Sequence, residues 1–308
     1  MKLFSGSSHP ALAKAIAKEL NISLGDVELK EFSCGENYVR YRETVRGQHV
    51  FIVQTATSRP DDDLMELSLM CQAARLGFAE AIHVVIPNLP YARQDRVTAP
   101  REAISAKLVA DVLTVAGADH VITLTLHSDQ IQGFFPIPVD VLFTHDLFVE
   151  HFKGKNLRSP IVVSPDVGGA KRAKIFADKL GCDIAIIHKS RPAHNKSEVV
   201  ELVGHIEGKT CIIYDDMIDT GGSPVAAERA LMKNGAMRDI YVAATHAIFS
   251  GKATAKLQRA GFKEVVVTDS VPLAGKKFPG LKVLSVAPML AEVIQHVMRG
   301  ESVTAMYK

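Results

Sequence analysis

A chain of 308 residues, 47% hydrophobic and 23% charged, has the make-up of a packed globular protein and excludes a disordered one. Its 36 basic and 34 acidic residues nearly cancel, which excludes a general pull toward nucleic acid or anionic lipid, so any phosphate binding is local. No uninterrupted apolar run reaches the roughly 18 residues of a membrane helix.

The opening MKLFSGSSHP lacks the apolar core of a signal peptide, and Cys34, Cys71, Cys182 and Cys211 show neither CxxC nor zinc spacing, so a reducing, cytoplasmic setting is expected. Short Val- and Ile-rich runs then recur, each followed by a segment of helical periodicity, the signature of parallel sheets covered by helices on both faces. The first half offers strands at 49–55, 81–88 and 120–126. Between them, 62–78 opens on acids and closes around Gly77, and 104–117 closes on Gly117, as helices do. The second half offers strands at 161–166, 183–189, 210–216, 239–246 and 264–270, with helices starting near Gly168, Ser223 and Gly251. A last helix, 288–298, could return to either half. The fold class expected is α/β, two doubly wound, mainly parallel-sheet domains, 1–143 and 144–308.

Ligands of such sheets gather beyond the carboxyl ends of the strands. There the sequence places His127, Asp166 with Gly168 and Gly169, Lys189 with Arg191, and the stretch IIYDDMIDTGGSP at 212–224. In that stretch, Asp219, Thr220, Gly221, Gly222 and Ser223 precede a helical segment, with Ser223 read as N-cap and Pro224 as first helical residue. Glycines let successive N–H groups converge, and a helix N-terminus adds partial positive charge, so a phosphate monoester fits. Asp215 and Asp216 would repel that phosphate unless they meet sugar hydroxyls or magnesium. A sugar phosphate satisfies both halves. GHIEGKT at 204–210 imitates a phosphate-binding loop, but it has three residues between its glycines rather than four and leads into a strand, so it reads as a tight turn.

DDMIDTGGS (215–223) resembles the phosphoribosyl diphosphate motif shared by type I phosphoribosyltransferases and ribose-phosphate diphosphokinases. FSCGEN (32–37), YARQDR (91–96), LHSDQIQGFF (126–135), SPDVGG (164–169) and HKSRP (188–192) occur in the order and at roughly the spacing of the diphosphokinase family. This resemblance spans nearly the whole chain. It implies domains of the type I phosphoribosyltransferase kind and transfer of the pyrophosphoryl group of ATP to the C1 hydroxyl of ribose 5-phosphate, giving phosphoribosyl diphosphate and AMP.

By that resemblance, the residues Asp219, Thr220, Gly221, Gly222 and Ser223 hold the 5-phosphate, Asp215 and Asp216 the sugar hydroxyls, and Arg191 the phosphate side. Lys189, with Arg191, is implied in catalysis on a loop from Ser190 to Ser197. ATP is implied at Phe32, Cys34, Gly35, Glu36, Arg93, Gln94, Asp95 and Arg96, and Mg2+ at His127 and Asp166. A homo-oligomer, a hexamer built from dimers, is implied as well. Cys34 stands where family members usually carry aspartate, Ser190 where a second basic residue often appears, and the ending ESVTAMYK departs from the usual C-terminus. The rivals are a phosphoribosyltransferase, which would be shorter and need neither FSCGEN nor YARQDR, and a noncatalytic regulatory partner, which would be expected to lack Lys189 and Arg191.

Overall fold

The computed structural model describes residues 1–190 and 199–304; the side chains of 189, 190, 199 and 200 lie outside that description. It divides into two units, and the division is not linear: the first takes Met1–Phe143, Ser270–Pro272 and Ser285–Lys308, the second Thr144–Asp269 and Leu273–Leu284.

The first unit runs β1 (Lys2–Ser5), α1 (Pro10–Glu19), β2 (Val27–Glu31), β3 (Asn37–Tyr41), β4 (His49–Val53), α2 (Pro60–Leu76), β5 (Ala81–Val85), α3 (Ser105–Ala116), β6 (His120–Leu124) and β7 (Val139–Leu142). Its five-stranded parallel sheet has the order β1-β4-β5-β6-β7, and β2 and β3 form a separate antiparallel hairpin. Strand alternation covers the sheet on both sides. Val50 and Ile52 pack with Leu67, Met70 and Cys71 of α2 and Val109 and Leu113 of α3, whereas Phe51 and Val53 are equally buried on the opposite face. Gly117, at φ +108, ends α3 in the left-handed region and frees the chain to enter β6.

The second unit runs α4 (His145–Lys153), β8 (Pro160–Ser164), α5 (Ala170–Leu180), β9 (Asp183–Ser190), β10 (Val199–Val203), β11 (Thr210–Ile218), α6 (Gly222–Lys233), β12 (Tyr241–Ala247), α7 (Ala253–Ala260), β13 (Glu264–Thr268) and β14 (Leu281–Leu284). Its seven strands take the order β10-β9-β8-β11-β12-β13-β14, parallel except for β10. Ile213, Val242 and Val265 pack with Ala227 and Leu231 of α6 and Leu257 of α7, while Ile212, Ala243 and Val266 face Phe148 and Phe152 of α4 and Phe176 of α5. The last helix, α8 (Ala287–Arg299), returns to the first unit and lies against α1. Among the described residues no helix is long and apolar enough to cross a membrane.

A row of histidines crosses the first sheet. His49 Nδ1 lies 3.0 Å from His83 Nε2, His83 Nδ1 lies 3.2 Å from His120 Nδ1, and His120 Nε2 lies 3.1 Å from Asp140 Oδ2. The carboxylate can only accept, which fixes every tautomer: His120 donates to Asp140, His83 to His120, and His49 to His83. His83 stacks on Phe51 with ring centroids 4.3 Å apart, and burial, then the nearby His120 and His49, push its pKa down to about 4. Unfolded, it would titrate near 6.5, so between about pH 6.5 and 4 the unfolded chain binds the extra proton and stability falls as pH falls. The loss across this window is about 3 kcal/mol for His83. His145, likewise pushed to about 4 by burial, adds slope in the same window. Urea titrations of wild type and His83→Gln at stepped pH isolate the first contribution, and a shallower acid slope is expected for the variant.

Candidate functional site

In the second unit, β11 carries its acids inside the strand. Pairing with β12 runs on from Asp215↔Ala244 to Ile218↔Ala247, so the strand passes its expected end at Asp216 by two residues. After Asp219 and Thr220 the chain turns through Gly221 at φ +73, and α6 starts at Gly222. This corrects the expected cap: Gly221 is the N-cap, Ser223 the second helical residue and Pro224 the third. The left-handed glycine completes the turn before the serine is reached. A Cβ on Gly221 would sit 3.3 Å from the Ala253 carbonyl oxygen, so both conformation and space select glycine. Pro224 is tolerated because first-turn N–H groups have no intrahelical acceptor. For the same reason the Gly222 and Ser223 amides are available to an anion, beside the positive end of a 12-residue helix. Lys256 of α7 adds a cation at this turn, its Nζ donating to the Thr220 carbonyl oxygen at 3.1 Å.

The acids beside this anion cradle are charge-balanced by a residue the strand-end reading missed. Arg172 on α5 places Nη1 3.2 Å from Asp216 Oδ1 and 3.9 Å from Asp215 Oδ1. The Asp216 side chain is only 4% exposed and that of Asp215 19%, so the two acids differ in access. Asp215 Oδ1 also accepts a hydrogen bond from the Asp216 amide at 2.9 Å. Burial and the charge of Asp216 hold the Asp215 carboxyl well above the usual carboxylate range, with Asp166 adding to the rise and Arg172 opposing it.

Asp166 follows β8 and is exposed. Its Oδ1 accepts from the Gly169 amide at 2.9 Å, and Ser164 Oγ donates to its carbonyl oxygen at 2.7 Å. This turn fixes where α5 begins, and hence where Arg172 sits. Lys189 lies near the carboxyl end of β9, its backbone opposite Val200 of β10. Ser190, expected to open the loop, instead closes β9 opposite Val199; the Lys189 side chain, Arg191 and the residues up to 197 lie outside the described residues.

The residues expected at ATP belong to the first unit. Phe32, Cys34, Gly35 and Glu36 occupy the turn of the β2–β3 hairpin, and all are exposed. The turn is closed by the Phe32 amide donating to the Glu36 carbonyl oxygen and the Gly35 amide to the Phe32 carbonyl oxygen, each at 2.8 Å, with Gly35 at φ +92. Phe32 is half exposed and meets Tyr38 with ring centroids 5.6 Å apart, an aromatic face open to stacking. Arg93, Gln94 and Arg96 are exposed and Asp95 half-buried in the loop before α3. Gln94 has a structural duty as well: its Oε1 accepts from Ser105 Oγ at 2.7 Å and its carbonyl from the Ala106 amide at 3.2 Å, holding the start of α3.

His127 is exposed just beyond β6, in the first unit, whereas Asp166 belongs to the second. Among the described residues no group of three or more His, Cys, Asp or Glu side chains is set to hold a metal. The Asp166 carboxylate nevertheless suits magnesium, which keeps several waters and binds through one or two carboxylates plus substrate phosphates.

Comparison with known proteins covers the chain from both ends. A family described as the N-terminal domain of ribose phosphate pyrophosphokinase matches residues 1–117, and one described as the phosphoribosyl synthetase-associated domain matches residues 189–308. The ribose-phosphate pyrophosphokinase of Wolinella succinogenes is 46% identical over 306 residues, 99% of this chain and 98% of that protein. That of Vibrio cholerae is 47% identical over 311 residues, 100% of this chain and 99% of that protein. The crystal structure of phosphoribosylpyrophosphate synthetase from Mycobacterium smegmatis superposes with a TM-score of 0.92 at 42% identity, covering 97% of this chain and 99% of that one.

Proposed function

The chain belongs to the ribose-phosphate pyrophosphokinase family, and we propose that its strand-end residues divide that family's reaction among them. The enzyme transfers the pyrophosphoryl group of ATP to the C1 hydroxyl of ribose 5-phosphate, yielding phosphoribosyl diphosphate and AMP. Atoms balance when the C1 oxygen bonds to the β-phosphorus, the bond from that phosphorus to the oxygen bridging it to the α-phosphorus breaks, and the hydroxyl proton leaves.

The 5-phosphate sits on the Gly222 and Ser223 amides, framed by Asp219, Thr220 and Gly221. Asp215 and Asp216 accept hydrogen bonds from the sugar hydroxyls, and Arg191 supports the phosphate side. The observation that carries this assignment is the join at Gly221, φ +73, where a strand bearing two acids turns directly into a helix N-terminus. Phe32 stacks on the adenine, with Cys34, Gly35 and Glu36 along the same turn, and Arg93, Gln94, Asp95 and Arg96 hold the phosphates. Arginine suits that task because its planar fork matches phosphate oxygens. His127 and Asp166 would hold Mg2+, which would screen the phosphate charge against the incoming hydroxyl; histidine being an uncommon magnesium ligand, His127 would act through water. Lys189 and Arg191 stabilise charge developing on the transferring group. The working form is a homo-oligomer, a hexamer built from dimers, for which sedimentation should give six copies.

Purified protein incubated with ATP, magnesium and ribose 5-phosphate should release AMP only when the sugar phosphate is present. AMP release independent of the sugar, or none at all, would contradict the assignment; the latter would favour a noncatalytic partner.

A further inference from the structure

Helix N-termini favour acids, because the backbone dipole leaves partial positive charge there. α5 breaks that preference: its first turn holds no acid, and Lys171 and Arg172 are its second and third residues. A cation at this position works against the helix and needs another reason to be there. The reason lies on β11. The β8–β11 ladder ends at Val163↔Ile213, two residues short of Asp215, and the turn after β8 aims the start of α5 at that point.

We infer that Arg172 is a positioning residue for sugar recognition: one guanidinium, 15% exposed, spans both acids and fixes the orientation of the carboxylates that meet the ribose hydroxyls. This rests on the assignment of Asp215 and Asp216 to the sugar. Two adjacent carboxylates left to themselves would turn apart and lose the paired acceptor geometry. Bonded to Arg172 and to the Asp216 amide, both are held before substrate arrives, so little ordering remains to be done on binding. The rigid guanidinium matters with its charge, since it sets one Nη1 within reach of both acids, whereas a lysine ammonium is a point donor on a flexible stem.

The test uses the full chain with four variants, Arg172→Lys, Arg172→Met, Asp215→Asn and Asp216→Asn, measuring kcat and separate KM values for ribose 5-phosphate and ATP. Both Arg172 variants should raise the KM for ribose 5-phosphate about ten- to hundredfold, the worth of one charge-assisted hydrogen bond, and leave the KM for ATP within about twofold. Low millimolar guanidinium should restore part of the sugar affinity of Arg172→Met and leave wild type unchanged, whereas methylammonium should leave both unchanged. A purely structural role would instead move both KM values together with no guanidinium response, and that result, or an unchanged sugar KM in both Arg172 variants, overturns the inference. If Arg172→Met does not fold, Arg172→Lys carries the same KM comparison. Asp215→Asn and Asp216→Asn separate the two levels. If both keep wild-type affinity for ribose 5-phosphate, the sugar assignment itself fails; if either loses it while the Arg172 variants keep theirs, only Arg172's role fails.

Discussion

Asp216→Ala is expected to cost about 3–5 kcal/mol of stability, because it leaves the largely buried Arg172 guanidinium without its nearest carboxylate. The Asp216 side chain is 4% exposed and that of Arg172 15%, so water can hydrate the guanidinium only poorly. Asp215→Ala should cost clearly less, since Asp215 is more accessible and lies at 3.9 Å rather than 3.2 Å from the same Nη1. Removing both charges together, Asp216→Ala with Arg172→Met, should recover most of the loss, as a buried ion pair contributes little beyond what its own desolvation costs. Urea unfolding of the three variants checks the ordering. Equal, small losses for Asp215→Ala and Asp216→Ala would mean that the pair is hydrated and that Arg172 does not anchor it.

Lys189→Ala should lower kcat about 100- to 1000-fold, the usual effect of removing one preorganised donor from a developing charge. Pyrophosphoryl transfer asks little covalent help of the protein and much electrostatic help, so a cation near the carboxyl end of β9 is expected to act chiefly in the transition state. The KM for ribose 5-phosphate should change far less than kcat, because the proposed assignment puts the sugar on the β11–α6 turn. Single-turnover AMP formation isolates this step. Equal turnover in the variant would remove Lys189 from the chemistry, and a change confined to KM would make it a binding residue only.

The sequence speaks clearly where one local rule governs. Continuous Val- and Ile-rich runs mark strands buried on both faces, and all fourteen expected elements keep their place within a few residues, from His49–Val53 to Ala287–Arg299. The short or charged strands escaped that rule. KLFS of β1, VELKE and NYVRY of the hairpin, VDVL of β7 and LKVL of β14 carry too few apolar residues in a row to stand out from loop. The cap of α6 was misplaced because serine is the better N-cap by side-chain chemistry, whereas the turn is set by the backbone freedom of Gly221.

Long-range partnership was the least legible. Nothing near Arg172 in sequence announces Asp216, and His49, His83 and His120 stand more than thirty residues apart, meeting only through strand pairing. The return of α8 to the first unit is hidden for the same reason, since its amphipathic face does not name the surface it will cover. One signal was available for Arg172: two cations opening a helix, where acids would be favoured, mark a charge with business elsewhere.

Crystals soaked with ribose 5-phosphate test the central assignment most directly. Difference density should place the phosphate on the amides of Gly222 and Ser223 and the ring hydroxyls within hydrogen-bond distance of Asp215 or Asp216. Density for the ester at any other place, with the turn after Ile218 vacant, would contradict it.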